Sequence, residues 1–128
     1  MRRLLIDTNI YSCALRGHDE VVEILRRAEL IGFSVVSIGE LLTGFKLGKW
    51  ESKNRNELEE FLDSPRVTIY GIDENTSEFY SEIVWNLRKI GRPIPTNDIW
   101  IAATAFQHGL KLFSKDEHFK YIAGLPLV

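Results

Sequence analysis

The sequence predicts an α/β fold with a central, mostly parallel, twisted sheet of four to five strands flanked by helices. Short apolar runs typical of buried strands alternate with longer segments whose apolar residues recur at helical spacing, and this alternation favours a parallel sheet. The chain has 128 residues, 45% of them hydrophobic and 27% charged, which is ordinary for a globular protein. This length suffices for one hydrophobic core, so we expect a single domain over residues 1–128.

The first half of the chain supplies two of the predicted strands. The apolar run Arg3–Ile6 predicts a buried first strand, and Asp19–Leu30 follows a helical pattern. Gly32 introduces a second strand, Phe33–Ser37. A helix is predicted from about residue 38 to 47, where a polar break follows.

The middle of the chain continues the alternation. A helix is predicted over Asn54–Leu62, because Ser64-Pro65 then stops the pattern. Val67–Gly71 predicts the third strand. The long amphipathic segment Glu74–Ile90 predicts a helix that ends at Gly91.

The last third of the chain repeats the same order. Thr96 is a suitable cap for a helix that Gly109 closes. Leu110–Ser114 predicts the fourth strand, and a short turn or helix is expected from Asp116. Leu125–Val128 is a candidate edge strand.

Charge and cysteine content limit the classes of protein. The net charge is −2, which does not favour a tight, non-specific nucleic-acid binder but is compatible with an enzyme that holds RNA locally. The single cysteine, Cys13, excludes an intramolecular disulfide and fits a reducing compartment. Asp7 and Asn9 interrupt the first apolar run too early for a signal peptide or a membrane span. We therefore expect a cytoplasmic protein that does not associate with membranes.

Four acidic residues lie where predicted strands end or helices begin: Asp7, Glu40, Asp98 and Asp116. The carboxyl ends of parallel strands share one edge of the sheet, and ligands bind there. Clustered carboxylates repel one another in a low-dielectric cleft, and a hard divalent cation relieves that repulsion. The pattern therefore predicts a Mg²⁺ or Mn²⁺ site and a metal-dependent nuclease.

Zinc is disfavoured as the metal. The three histidines, His18, His108 and His118, have no paired ligand spacing, and one cysteine cannot build a thiolate site. We expect these histidines to be surface or boundary residues.

Each acidic residue also has a purely structural explanation. Asp7 and Asp116 are suitable helix caps, and Asp98 lies in a first helical turn, where negative charge complements the helix dipole. Ser37 and Glu40 have the spacing of a capping box. These explanations do not account for all four acids sharing one edge of a sheet.

Four segments together resemble the PIN-domain ribonucleases, and within them the VapC-type toxins of toxin–antitoxin pairs. They are DTNI at Asp7–Ile10, SIGELL at Ser37–Leu42, TNDIWIAATA at Thr96–Ala105 and SKDEHF at Ser114–Phe119. Each segment alone is weak evidence for the resemblance, but the four occur in order over essentially the whole chain. The resemblance implies a PIN-like three-layer α/β/α fold and hydrolysis of RNA phosphodiester bonds with Mg²⁺ or Mn²⁺.

The resemblance also assigns the site. The family's acidic positions fall on Asp7, Glu40, Asp98 and Asp116, and its small polar positions on Thr8, Asn9 and Ser114. It implies that Asn9 orients Asp7 and that Ser114 supports the site. Gly39 and Lys115 depart from the usual residues of the family, but neither change removes a carboxylate.

We hypothesise that the four acidic residues have different roles. Asp7, Asp98 and Asp116 carry one ion, Glu40 binds it through water or orients the attacking water, and a second ion arrives with the phosphate. Candidate RNA contacts are Lys46, Lys49, Lys53 and Lys115, with Trp50 available to stack on a base. A solvated helix face explains these cations equally well.

The family also implies partners. The resemblance to VapC-like toxins implies a homodimer that pairs with a small VapB-like antitoxin, in some cases as a larger complex. It also implies that the antitoxin tail covers the acidic cleft. The alternative function is a catalytically silent PIN-like scaffold that binds a protein partner. A phosphate-binding loop at Gly44–Lys49 is disfavoured, because it is one residue short between its glycines and lacks a Ser or Thr after the lysine.

Overall fold

A computed structural model, which describes residues 2–128, contains four strands in one parallel sheet. They are β1 (Arg3–Ile6), β2 (Leu30–Ser34), β3 (Val67–Tyr70) and β4 (Lys111–Phe113). The order is β3-β2-β1-β4, so the first strand lies inside the sheet. Ile6 pairs with Phe33 on one side and with Phe113 on the other. The residues that follow β1, β2 and β4 therefore lie side by side at one edge.

Helices cover both faces of this sheet. They are α1 (Thr8–Leu15), α2 (Asp19–Arg27), α3 (Val35–Leu47), α4 (Glu51–Leu62), α5 (Glu74–Lys89) and α6 (Thr96–His108), followed by a 3-10 helix (Glu117–Tyr121). Alternate residues of β1 enter opposite cores: Leu4 and Ile6 pack with α1 to α4, whereas Leu5 packs with α5, α6 and the 3-10 helix. The expected three-layer α/β/α architecture is confirmed.

The second strand is where the expectation was wrong. β2 covers Leu30–Ser34 rather than Phe33–Ser37, and the helix expected over Asp19–Leu30 ends at Arg27. The run from Leu30 to Val36 is apolar enough to fit a strand in either place, so its periodicity could not locate the boundary. Pairing with β1 and β3 decides it, since Leu30–Ser34 are the residues in register with both neighbours.

This shift also overturns the proposed capping box. Ser34 is the cap of α3 and accepts a hydrogen bond from the Val36 backbone N at 3.0 Å. Ser37 is consequently inside the first turn and buried, and Glu40 follows a turn later with its side chain free to reach the sheet edge.

Other differences lie at the ends of elements. α4 begins at Glu51 rather than Asn54, and Pro95, not Thr96, occupies the cap position of α6. Gly109 closes α6 in the left-handed conformation (φ 64°), as expected. The candidate edge strand at Leu125–Val128 is reduced to a single parallel bridge between Leu112 and Leu127. Within residues 2–128, no helix is both long and apolar enough to cross a membrane.

Candidate active site

Asp7 leaves the sheet directly after β1 and is almost completely buried, with 6% of its surface exposed. One carboxylate oxygen accepts a hydrogen bond from the Ile10 backbone N at 2.9 Å, so the expected capping role is confirmed. The other oxygen accepts a hydrogen bond from the Ser114 hydroxyl. Asp7 therefore has both a local role, in starting α1, and a link to the end of β4.

Ser114 joins two of the acidic positions. Its hydroxyl donates to Asp7 and accepts from the Asp116 backbone N at 2.9 Å. Asp116 in turn caps the 3-10 helix, because its Oδ1 accepts from the His118 backbone N at 3.0 Å. The segment after β4 is thus fastened to the segment after β1.

Asp98 lies in the first turn of α6, as expected, and faces His118. The His118 Nδ1 is 3.1 Å from Asp98 Oδ2 and also 3.1 Å from Asp116 Oδ1. The expectation that His118 is an isolated boundary residue missed this contact, although the side chain is 45% exposed. The available signal was its position two residues after Asp116, since a tight turn there brings both side chains together.

Glu40 reaches the same place from the second turn of α3. Its Oε1 accepts a hydrogen bond from Thr8 Oγ1 at 2.8 Å, and its Oε2 accepts one from Asn97 Nδ2 at 3.3 Å. Asn97 is a contact that sequence reasoning did not find. Asn9 lies exposed at the site, but the hydrogen bonds found on Asp7 come from Ser114 and Ile10.

These groups line one cleft of about 390 Å³. Its walls are formed by Asp7, Thr8, Asn9, Glu40, Pro95, Thr96, Asn97, Asp98, Ile101, Asp116 and His118. The structure therefore brings together all four acids named from the sequence. No lysine or arginine is among these wall residues in the described part of the chain.

The surroundings of the cleft disfavour the ionised forms of two of its carboxyl groups. Burial raises the pKa of Asp7 above its ordinary value, although Ser114 and Ile10 hydrogen bonds oppose the shift, and the charges of Asp116 and Asp98 add to it. Burial also raises the pKa of Asp98; the His118 contact opposes this, while Asp116 and Glu40 reinforce it. A bound cation would relieve both the desolvation and the repulsion.

The donor atoms fit a divalent ion. One ligand atom each from Asp98, Asp116 and His118 lie within 4.8 Å of one another. Carboxylate oxygens are the ligands that Mg²⁺ and Mn²⁺ prefer, and an imidazole nitrogen is acceptable to Mn²⁺. Asp7 and Glu40 line the same cleft and can add further oxygens, directly or through water.

The candidate RNA-binding cations lie outside the cleft walls. Lys46 pairs with Glu51 at 3.3 Å, whereas Lys49, Lys53 and Lys115 are exposed. A shallow groove of about 800 Å³ shares Glu40 and Asn97 with the cleft and follows α3 to Leu47. This groove leads toward the end of α3, near which Lys46 and Lys49 lie.

Comparison with known proteins gives a consistent result. The PIN domain family model matches residues 4–125. Ribonuclease VapC4 of Mycobacterium tuberculosis is 35% identical over 97 residues, covering 76% of this chain and 75% of the relative. Toxin FitB of Neisseria gonorrhoeae is 30% identical over 122 residues, covering 88% and 87%. The structure of VapBC2 from Rickettsia felis, bound to a DNA fragment from its promoter, superposes with a TM-score of 0.84 at 27% identity, covering 98% and 96%.

Proposed function

This chain belongs to the PIN domain family and to its VapC-type branch, and on that basis we propose that it is a Mg²⁺- or Mn²⁺-dependent endoribonuclease, the toxin of a type II toxin–antitoxin pair. The observation that carries the proposal is the convergence of four carboxylates on one cleft at the carboxyl edge of a parallel sheet. The names of the relatives, a ribonuclease and a toxin, support the same assignment.

The acidic residues would have different roles. Asp7, Asp98 and Asp116 would hold the ion, and Ser114 orients the Asp7 carboxylate by donating to it, a hydrogen bond that favours the ionised form. When bound, the divalent ion supplies a nucleophilic water near neutral pH and stabilises the developing charge on the phosphate. Glu40 is exposed to the cleft, and Thr8 and Asn97 fix its carboxylate, so its oxygens can orient the attacking water.

Metal binding provides the first test, because it requires no choice of RNA. Calorimetric titration of Mn²⁺ into chelator-treated, partner-free protein should show saturable binding. Asp98→Asn should weaken it at least about tenfold, since loss of even a supporting group costs about that much. Asp63→Asn is the matched control, because Asp63 is exposed at the end of α4 and away from the cleft.

The outcomes separate the two functions under consideration. Binding that Asp98→Asn weakens and Asp63→Asn leaves intact supports the nuclease. A folded wild-type protein that binds no divalent ion would favour the catalytically silent scaffold instead.

Catalysis can be separated from metal binding at Glu40. Glu40→Gln keeps the size of the side chain and the contact with Thr8, but removes the charge that orients water. We expect cleavage of a pool of single-stranded RNA to fall about 10²- to 10⁴-fold. Mn²⁺ binding should change much less, and an unchanged cleavage rate would remove Glu40 from the mechanism.

RNA would approach along the groove on α3. Lys49 and Lys53 are exposed beyond its end, and Trp50 is 68% exposed beside them. Lys49→Glu should weaken RNA binding and reduce the slope of log affinity against log salt by about 0.7, the effect of one lost phosphate contact. Lys111→Glu is the control, because Lys111 is exposed where β4 begins, at the end of the strands opposite the acidic cleft. Equal effects of the two variants would identify these lysines as a solvated face.

The partners proposed are a second copy of the chain and a VapB-like antitoxin. Exposed apolar side chains near the groove, Leu47 at 85% and Trp50 at 68% exposure, support such contacts. Sedimentation of the purified chain, alone and with a co-expressed antitoxin, tests both partners.

A further inference from the structure

The imidazole of His118 enters the acidic cleft from the 3-10 helix, and the reaction outlined above does not use it. A single ring nitrogen, Nδ1, lies 3.1 Å from a carboxylate oxygen of Asp98 and 3.1 Å from one of Asp116. The same Asp116 oxygen already accepts the His118 backbone N–H at 3.0 Å. The ring nitrogen Nδ1 therefore faces the two acids, while the side chain remains 45% exposed.

The two distances from the ring nitrogen to these oxygens match those within a coordination shell. In an octahedral site with bonds of about 2.1 Å, neighbouring ligand atoms are about 3.0 Å apart. Both nitrogen–oxygen distances, 3.1 Å, are close to that value. One ligand atom from each of the three residues also lies within 4.8 Å of the other two, so the group could hold a metal ion.

We propose that His118 is a ligand of the divalent ion through Nδ1, and that its imidazole makes this site prefer Mn²⁺ to Mg²⁺. Mg²⁺ selects oxygen ligands and retains its waters, whereas imidazole nitrogen binds first-row transition ions more readily. A ligand set in which an imidazole joins the carboxylates therefore discriminates between the two ions more strongly than a set made of carboxylates alone. The inference rests on the proposed metal site, and it goes further by naming the ligand that selects the ion.

Pulsed electron paramagnetic resonance of bound Mn²⁺ tests the ligand directly, without any activity measurement. Tag-free wild-type protein loaded with Mn²⁺ should show nuclear modulation from a coordinated nitrogen. His118→Gln should abolish that modulation, because the amide cannot supply a nitrogen of comparable basicity. His18→Gln should retain it, since His18 is exposed before α2 and makes no side-chain capping bond.

Affinities measured on the same proteins test the selectivity. Calorimetry should show that His118→Gln weakens Mn²⁺ binding at least about tenfold but changes Mg²⁺ binding by less than about threefold. The ratio of the two affinities should therefore fall in this variant and stay unchanged in His18→Gln.

Three results would overturn the inference, and they are distinguishable. Bound Mn²⁺ without nitrogen modulation would exclude His118 as a ligand and leave the proposed nuclease intact. Tighter Mn²⁺ binding by His118→Gln would identify the imidazole as a competing counter-ion of the acids. Failure of folded wild-type protein to bind Mn²⁺ would remove the metal site and the proposed function together.

Discussion

Replacing Ser114 by alanine tests how the site holds a buried carboxylate. The Ser114 hydroxyl donates to Asp7, which is only 6% exposed, so water cannot easily replace the lost donor. A hydrogen bond to a charged group contributes about 1.5–3 kcal/mol, and we take about 2 kcal/mol for this one. For 128 residues, an unfolding entropy of about 2.1 cal/mol/K per residue converts this into a Tm about 7 °C lower.

Thermal melts in chelator at neutral pH provide the assay. Ser114→Thr should melt near the wild type, because it retains the hydroxyl. Ser81→Ala is a matched control. The Ser81 hydroxyl donates to the Glu78 carbonyl on an exposed face of α5, so little change is expected. A Tm of Ser114→Ala within about 2 °C of the wild type would refute the argument that this bond stabilises the buried charge.

The pH dependence gives a second check on Ser114→Ala. The Ser114 hydrogen bond favours the ionised form and opposes the rise in the pKa of Asp7. Losing it should raise that pKa further. The loss of stability in Ser114→Ala should therefore be complete at pH values above the pKa of Asp7 in the folded variant. This loss should shrink in acid, where Asp7 is protonated in both proteins. A deficit that is constant down to strongly acidic pH would assign the loss to packing.

Two further predictions concern stability. In metal-free protein Asp98→Asn should raise the Tm at neutral pH, because burial raises the pKa of Asp98 and the folded state therefore disfavours its charge. The cost of ionising Asp98 is absent below its ordinary pKa of 3.8 and grows as pH rises through its pKa in the folded state. Plots of Tm against pH for the wild type and the variant, measured from pH 4 to 8, should therefore converge in acid. A Tm of Asp98→Asn below that of the wild type at neutral pH would contradict this. Gly32→Ala should lower stability by about 1–3 kcal/mol in denaturant melts, because an added Cβ would lie 2.8 Å from the Tyr70 ring in β3. Gly44→Ala, in open space on α3, should instead add about 0.5–1 kcal/mol, and equal effects at the two glycines would refute the packing argument.

Local sequence patterns carried much of the fold. The apolar run Arg3–Ile6 and the cap at Gly109 identified β1 and the end of α6, since burial and backbone conformation at these places depend on adjacent residues. The position of the acids after strands or in first helical turns was enough to expect a shared edge. That expectation needed only the rule that parallel strands end on the same side.

Only the tertiary structure decided which residues meet. β2 was misplaced from sequence because its apolar run fits a strand or a helix start equally well, and the register with β1 and β3 chose between them. The bond from Ser114 to Asp7 joins residues 107 positions apart, and the bond from Asn97 to Glu40 joins residues 57 apart. Such contacts depend on strand order and helix packing, which local periodicity does not encode. The sequence by itself thus determined the chemical nature of the site, four carboxylates, whereas the packed fold decided their partners, including the imidazole of His118.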